Sequence, residues 1–590
     1  MGGICLEEMR EGGLNIFLDD FLVLILRAFI WLFNCLVIYY CYVFSIELEL
    51  TDLESNKMGK FWENWGKIVI IAVGVLYFLL LAGLKNGFYV DEIFSFGHAN
   101  STVGAFMSPS IDAHFVDENN DLHGKWIENE MFRKYLMVQK GEGGNFENIY
   151  QNLAKDVHPP LYFMLLHLMS SLFADELNIW AGLSINLVCL VLLILLVNRL
   201  LVYLFKDVKK ANFLTLLFLF LPSVIELMAF VRMYELFLLF NVWLCYLAFK
   251  VIDEKGGNYK LLSFVGVAIG GACLTHLYGL VYGFFVALGV MGCLAVEKRF
   301  IDAFLFGLFM LLGVVISGIV FPYMVDILFY SERGEESLEA VSFFDSSLWF
   351  FRFDYFLKQF FRATFGVKGE WHWGMLLVVL SVLFWGIKEK GLREIFDKKS
   401  VFLLFVAVMG CVVVSVVAPD MRKFSGRYYV VGAFYFVLWL FMIGDKVFSL
   451  NRGRKICGVV LCLIMVVGNM VRGVNNPYLQ RDSQIKEFSQ YVKDKRVITL
   501  IGYKEVVFNF GMLDSFLGAK SVYKLNAGDL EEIEEFLLSD EPLSGDIVIL
   551  YAGMGKNVGN KKTMEQEKYR LKYKDILFMG MHSYEIYERY

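Results

Sequence analysis

Two adjacent carboxylates, Asp91 and Glu92, follow directly after an apolar run in the segment LKNGFYVDEIFSFGHAN. A carboxylate at the edge of a membrane can accept a proton, hold a cation or orient a hydroxyl group. The residues on both sides of the pair are mostly apolar, and the loop 87–157 carries eleven acidic and five basic residues. An ordinary solvated loop is the alternative, but this setting favours a functional pair.

A histidine in a restrained backbone marks the end of the same loop, in Asp156-Val157-His158-Pro159-Pro160. The residue before a proline is held in an extended conformation, so the ring of His158 has a fixed direction. We predict that His158 helps to bind the phosphate or the sugar of a donor. The alternative is a histidine that caps a helix or lies at the membrane interface.

Further candidates lie at short turns between apolar runs. Arg232 and Tyr234 stand in FVRMYELF with almost no loop around them, where an arginine is costly unless it is paired or faces a polar cavity. The alternative for Arg232 is that it extends to lipid headgroups. His276 and Tyr278, in LTHLYGL, occupy a similar turn and would line the same cavity.

A cationic group completes the set, in PDMRKFSGRYY. Arg422, Lys423 and Arg427, with Tyr428 beside them, suit a phosphate or pyrophosphate, which arginine binds through two parallel hydrogen bonds. General binding of anionic headgroups is the alternative.

Apolar spans must position these residues. The chain has 590 residues, of which 57% are hydrophobic, and a mean hydropathy of +0.54, which indicates a polytopic membrane protein. Its net charge of −6 and the lack of a long basic run exclude nucleic acid as an expected partner. Runs of apolar residues predict about eleven helices after residue 60: near 67–86, 181–205, 211–229, 234–252, 261–275, 277–296, 300–322, 374–388, 400–418, 430–448 and 455–471.

The charges of the connecting loops predict the orientation. Loops rich in lysine and arginine follow every second span and are expected in the cytoplasm. The candidate residues then share the opposite, extracytoplasmic side of a plasma membrane. On that side we predict an interfacial helix at 158–173 and a long aromatic loop at 323–373, which is either a membrane anchor or a flap for a phospholipid-like substrate.

Three regions follow from this topology. Residues 58–474 form the predicted transmembrane domain, and residues 475–590 form a predicted small extracytoplasmic α/β domain. Residues 1–57 are either an extension or one more helix, which would give about twelve. Of the 10 cysteines, Cys5 lies near the N-terminus and the other nine fall in apolar runs, so none lies in a segment predicted outside the membrane. Disulfides are therefore not expected, and no cysteine spacing suggests a metal site.

The motifs VDEIFSFGHA (90–99) and DVHPPLYFMLLH (156–167) resemble those of the GT-C superfamily of polyprenyl- or dolichyl-phosphate-sugar glycosyltransferases. The branch that the chain resembles most contains the protein O-mannosyltransferases and the aminoarabinose transferases. RMY at 232–234 and GRYY at 426–429 are looser matches. The resemblance covers roughly 60–450.

The resemblance implies an inverting transfer of one sugar from a polyprenyl-phosphate donor to an extracytoplasmic hydroxyl. It implies that Asp91 is the base or the carboxylate that orients the acceptor, that Glu92 supports it, and that Arg232 and Arg427 are candidates for the donor phosphate. Most members of the branch need no catalytic metal, so we expect no cofactor, with a divalent cation as the alternative. Two alternative functions remain open: a glycan polymerase or ligase that uses a polyprenyl-diphosphate donor, and a transporter or flippase.

Overall fold

The computed structural model describes residues 52–105, 125–330, 346–367, 371–417, 426–448, 462, 465–479, 483–501, 514–526, 535–536, 539, 543–551, 569–578 and 582–590. The predicted cations Arg422 and Lys423 lie outside the described residues, as do residues 1–51 of the predicted N-terminal region. The loops predicted at 87–157 and 323–373 and the span predicted at 455–471 are described in part.

Helices dominate the described part of the chain. In order they are α1 (Asp52–Leu84), α2 (Val90–Asn100), α3 (Asn129–Leu136), α4 (Glu147–Leu153), α5 (Leu161–Ser170), α6 (Trp180–Phe205), α7 (Val208–Leu219), α8 (Pro222–Met228), α9 (Tyr234–Asp253), α10 (Tyr259–Thr275), α11 (Tyr278–Val296), α12 (Phe300–Val320), α13 (Tyr323–Phe329), α14 (Ser346–Phe365), α15 (Trp371–Lys390), α16 (Leu392–Ile395), α17 (Lys398–Val417), α18 (Val430–Phe448) and α19 (Ser483–Tyr491).

Eight helical segments in the described ranges are long and apolar enough to cross a membrane. They correspond to eight of the predicted spans and are Trp65–Leu84, Trp180–Phe205, Tyr234–Asp253, Tyr278–Val296, Phe300–Val320, Trp371–Lys390, Lys398–Val416 and Gly426–Val447. The predicted class of a helical multi-span membrane protein is therefore confirmed. The span predicted at 261–275 is α10, an apolar helix of 17 residues.

The span predicted at 211–229 is two helices, α7 and α8, which meet at an angle of 63°. Pro222 is the first residue of α8, where its missing N–H costs no hydrogen bond. The break frees the carbonyl of Phe220, which accepts a 3.0 Å hydrogen bond from the side-chain amide of Asn469. A broken helix is tolerated in an apolar setting only where its freed groups are paired in this way.

The residues after 475 contribute to a six-stranded sheet. Its strands are β1 (Trp126–Glu128), β2 (Arg496–Ile501), β3 (Ser521–Asn526), β4 (Ile547–Tyr551), β5 (Tyr569–Phe578) and β6 (His582–Arg589), in the spatial order β1-β3-β2-β4-β6-β5. Strands β3, β2 and β4 are parallel, and β1, β6 and β5 pair antiparallel to their neighbours. The apolar runs at 497–503 and 546–553, on which the prediction of an α/β domain rests, contain most of β2 and β4, so the small α/β region is confirmed.

One strand of this sheet comes from a distant part of the chain. Trp126, in β1, lies opposite Tyr523 of β3, and the Arg496 guanidinium lies 4.2 Å from the centre of the Trp126 ring. Arg496 also donates two hydrogen bonds to Asp546, of 3.1 and 2.6 Å. The loop after α2 and the C-terminal residues therefore fold together.

The chain divides into two compact units. Unit 1 comprises residues 1–83, 186–229 and 233–475, and unit 2 comprises residues 84–185, 230–232 and 476–590. Unit 2 thus combines the motif-bearing loop, a three-residue segment from the turn around Arg232, and the C-terminal region.

Candidate functional site

The predicted site residues within the described ranges form two groups, one in each unit. In unit 2, helix α2 presents Asp91 and Glu92 in its first turn, where carboxylates complement the helix dipole. Consecutive residues of a helix point about 100° apart, so the two side chains enter different surroundings.

Glu92 is a completely buried carboxylate whose oxygens accept three hydrogen bonds. The backbone N–H of Tyr89 and the Lys85 ammonium donate to Oε2 over 2.7 and 2.9 Å, and the N–H of Val231 donates to Oε1 over 2.7 Å. The bond from Tyr89 caps the start of α2, and the bond from Val231 ties the helix to residues 230–232. Through these three hydrogen bonds Glu92 joins the first turn of α2 to Lys85 and to the segment 230–232.

The Lys85–Glu92 pair also reaches the C-terminal region. Burial raises the pKa of the Glu92 carboxyl and lowers that of the Lys85 ammonium, and the charge of each group opposes the shift of the other. Lys85 also donates to the carbonyl of Tyr478, and the Tyr478 ring stacks on Phe230 with centroids 4.0 Å apart. Sequence reasoning missed Lys85, although a lysine seven residues before a buried carboxylate can reach it across a tight helix start.

Asp91 lies on a different face of α2 from Glu92 and is partly exposed. Its carbonyl accepts a 3.0 Å hydrogen bond from the hydroxyl of Ser95, one turn further along. Nη1 of Arg232 lies 3.3 Å from the same hydroxyl. Residues four apart share a helix face, so Asp91 and Arg232 belong to one surface, with Ser95 between them.

Arg232 is buried, with only 6% of its surface exposed. Its segment packs closely on α6, because a β-carbon at Gly182 would lie 1.9 Å from Cγ1 of Val231. Among the described residues, Nε of Arg232 has no hydrogen-bond partner. A buried guanidinium that has an N–H group without a hydrogen-bond partner is suited to bind an anion.

His158 extends this surface towards the end of the loop. Its Nδ1 lies 2.5 Å from Oδ2 of Asp156, and its Nε2 lies 3.4 Å from Nη2 of Arg232. His98, two turns after Asp91, places its Nε2 3.3 Å from the same oxygen of Asp156. Burial lowers the pKa of His98 to about 4, so this imidazole is neutral near pH 7.

His167, in the same motif as His158, has a structural role. Its Nδ1 donates to the carbonyl of Ala99 over 2.9 Å, and its Nε2 accepts a 3.1 Å hydrogen bond from the N–H of Gly144. The ring thus ties α5 to the end of α2 and to the loop before α4. The motif contains two histidines, and in the structure only His158 lies beside Arg232.

The second group lies in unit 1 and consists of the remaining described candidates. The Arg427 guanidinium carbon lies 5.6 Å from the ring centre of Tyr234 and 5.3 Å from that of Tyr428. His276 lies 5.5 Å from Tyr234 and 4.7 Å from Tyr278, measured between ring centres. We call these five residues the aromatic–arginine cluster. A cation stacked on aromatic rings keeps its N–H edge for an anion while its face is covered.

Two carboxylates of unit 1 were not predicted. Glu226, in α8, is partly exposed and lies near the positive charges of Arg362, Arg427 and Arg472. Glu235, in the first turn of α9, is 1% exposed, and neither of its carboxylate oxygens has a hydrogen-bond partner among the described residues. Each stands in a run of apolar residues, and only the packing shows that Glu235 is buried and that Glu226 lies near three arginines.

Within the described ranges, no three histidine, cysteine, aspartate or glutamate side chains are grouped so that they could hold a metal ion. The absence of a catalytic metal stays a prediction.

Neither a protein-family model nor a curated protein sequence matches this chain. Among solved structures, the chain is similar to ArnT from Cupriavidus metallidurans bound to undecaprenyl phosphate, with a TM-score of 0.46 and 9% identity over 88% of this chain and 97% of that chain. The apo state of the same ArnT gives a TM-score of 0.35 and 11% identity over the same shares. At these TM-scores and identities, neither structure establishes a fold or an activity for this chain.

Proposed function

We propose that this chain is a membrane glycosyltransferase of the GT-C type, which moves a sugar from a polyprenyl-phosphate donor to an extracytoplasmic hydroxyl. The observation that carries the proposal is the surface of α2 in unit 2. There a carboxylate, Asp91, lies one helical turn from Ser95, whose hydroxyl contacts a buried arginine, Arg232.

In the proposed reaction, Asp91 accepts the proton of the acceptor hydroxyl as its oxygen attacks the anomeric carbon of the sugar. The bond from that carbon to the phosphate oxygen breaks, and the phosphate leaves with the bonding electrons. Arg232 stabilises the negative charge of the leaving phosphate, which is worth most in a buried setting. Direct displacement inverts the anomeric centre.

Glu92 has a supporting role in this proposal. Its three hydrogen bonds fix the first turn of α2 against residues 230–232, so Asp91 and Arg232 keep a constant spacing. We propose that the aromatic–arginine cluster of unit 1 takes part in binding the donor. Arg427 offers a guanidinium to an anion, and the partly exposed rings of Tyr278 and Tyr428 suit the apolar faces of a sugar, whereas the buried ring of Tyr234 supports Arg427.

The proposal is tested with purified protein, a polyprenyl-phosphate sugar and a panel of hydroxyl acceptors. Asp91→Asn keeps the shape of the side chain and removes the base, and we expect it to lower kcat at least 100-fold. Glu130→Asn on an exposed face of α3 is a control and should transfer at the wild-type rate. Transfer by Asp91→Asn at the wild-type rate would show that Asp91 is not the base.

The orientation is a separate proposal, supported by the charges of the loops. A single cysteine placed at residue 518 in the C-terminal region should react with a membrane-impermeant thiol reagent from outside intact cells. Labelling only after the cells are opened would contradict an extracytoplasmic unit 2.

One observation favours the transporter alternative. Glu235 is a buried carboxylate in a candidate span, and ionisable residues in such places commonly serve ion or substrate movement. Proteoliposomes with a fluorescent polyprenyl-phosphate sugar and no acceptor distinguish the two functions. Movement of the lipid between leaflets that Glu235→Gln abolishes would favour transport, whereas no movement favours transfer.

A further inference from the structure

Arg232 is a buried cation whose side-chain contacts are a hydroxyl group and an imidazole ring. Its Nη1 lies 3.3 Å from the hydroxyl of Ser95 and its Nη2 lies 3.4 Å from Nε2 of His158. Within the described part of the chain, no carboxylate oxygen forms an ion pair with it, and its Nε has no hydrogen-bond partner. Most buried arginines are paired directly with a carboxylate, so the arrangement around Arg232 needs an explanation.

A carboxylate on this surface, Asp156, contacts His158, and His158 in turn contacts Arg232. A carboxylate accepts hydrogen bonds, so the Nδ1 of His158, 2.5 Å from Asp156, carries a proton. A guanidinium only donates, so the Nε2 of His158 must accept from Arg232. These two contacts define a neutral imidazole with its proton on Nδ1. Nε2 of His98 lies 3.3 Å from the same oxygen of Asp156.

We propose that Asp156 is a positioning residue for Arg232 and acts through the Nδ1-protonated form of His158. The inference deepens the proposed function, because the anion that Arg232 binds is the phosphate of the donor. A carboxylate in direct contact with Arg232 would compete with that phosphate for the same N–H groups. With a neutral imidazole in between, the guanidinium is held in place while its charge stays available.

Two substitutions at one position separate the two contacts of His158. In His158→Gln, the side-chain oxygen lies near the place of Nε2 and can accept from Arg232. In His158→Asn, the side-chain nitrogen lies near the place of Nδ1 and can donate to Asp156, but Arg232 loses its acceptor. We expect the Asn variant to have a donor KM about tenfold above that of the Gln variant, with equal acceptor KM values. Equal donor KM values in the two variants would overturn the proposal.

Binding of a polyprenyl monophosphate that carries no sugar gives a readout that does not depend on catalysis. Its Kd for the detergent-solubilised full chain should rise about tenfold from the Gln to the Asn variant. If this order holds while the wild type transfers no sugar, the proposed function fails and the inference stands. If the wild type transfers sugar and both variants bind the probe alike, the inference fails and the proposed function stands.

The protonation of His158 is directly observable. In the full chain labelled with ¹⁵N-histidine in lipid bilayers, the signal lost in His158→Gln identifies this residue among the eight histidines. We expect a neutral ring protonated on Nδ1, and we expect Asp156→Asn, whose amide can donate as well as accept, to add the Nε2-protonated form. A wild-type ring protonated on Nε2, or an unchanged ring in Asp156→Asn, would overturn the role of Asp156.

Discussion

Replacing Glu92 by glutamine tests whether this carboxylate holds the first turn of α2 in place. Glutamine has one acceptor oxygen, whereas the two oxygens of Glu92 accept from Lys85, Tyr89 and Val231. If the amide oxygen faces Lys85 and Tyr89, the amide N–H₂ faces the N–H of Val231. In the reverse orientation the amide N–H₂ faces the Lys85 ammonium and the N–H of Tyr89. At least one buried donor therefore loses its partner.

The loss can be given a magnitude from these contacts. A hydrogen bond to a charged group contributes about 1.5–3 kcal/mol, and a buried donor without a partner costs about 1–3 kcal/mol. We therefore expect Glu92→Gln to lower the free energy of local opening of α2 by about 3 kcal/mol. This lies at the lower end of the cost of removing one partner from a buried ion pair, about 3–5 kcal/mol.

Hydrogen–deuterium exchange measures this quantity locally. A loss of about 3 kcal/mol corresponds to about 100-fold faster exchange of the α2 amides when exchange follows opening. The amide of Val231 should accelerate with them. The amides of α11, which is in unit 1, serve as an internal reference and should exchange as in the wild type.

Glu130→Gln is the matched control. This carboxylate is 62% exposed and pairs with Lys134 at 3.6 Å on the surface of α3. Surface pairs of this kind contribute little, so exchange in α2 should stay within threefold of the wild type. If Glu92→Gln also stays within threefold, Glu92 does not fasten α2 and the reasoning is refuted.

Three further predictions concern packing, protonation and the second group. Gly97→Ala places a β-carbon 2.2 Å from Cζ of Tyr135, so we expect the free energy of unfolding, followed by thermal unfolding, to fall by about 1–3 kcal/mol. Gly318→Ala is the control, because a β-carbon there meets open space, and it should leave the stability unchanged. Burial lowers the pKa of His98 from 6.5 in the unfolded chain to about 4 in the folded chain. Between these pH values the unfolded chain binds more protons, so the free energy of unfolding falls by up to about 3 kcal/mol as the pH drops from 6.5 to 4. In His98→Gln, denaturant titrations should show a smaller fall over that range. Arg427→Lys keeps the charge and removes the guanidinium that lies near the two rings, and we expect a donor KM at least fivefold higher in steady-state assays with little change in kcat.

Local features of the sequence predicted several parts of this structure. Eight spans follow from the length of their apolar runs, because a bilayer requires about 20 consecutive apolar residues. The strands β2 and β4 follow from short runs of branched apolar residues. The bend between α7 and α8 lies at Pro222, but its 63° angle depends on how the neighbouring helices pack.

Residue type and the cost of placing a charge near a membrane identify the candidate residues, and both can be read from short segments of the sequence. Their roles required contacts between residues far apart in the chain. Glu92 and Asp91 are neighbours in sequence, yet only the packing of Val231 and Lys85 against α2 shows that one is buried and the other partly exposed.

The sequence by itself determined the class of protein, most of its spans and the types of residue that could do chemistry, because these depend on composition and on local periodicity. The tertiary structure alone decided that β1 joins the C-terminal sheet, that His158 lies between Asp156 and Arg232, and that the guanidinium of Arg427 lies near the rings of Tyr234 and Tyr428. Each of these contacts joins residues whose separation along the chain says nothing about their distance in space. They form because burial of the apolar surfaces brings these segments together, and polar groups that are buried must then find partners.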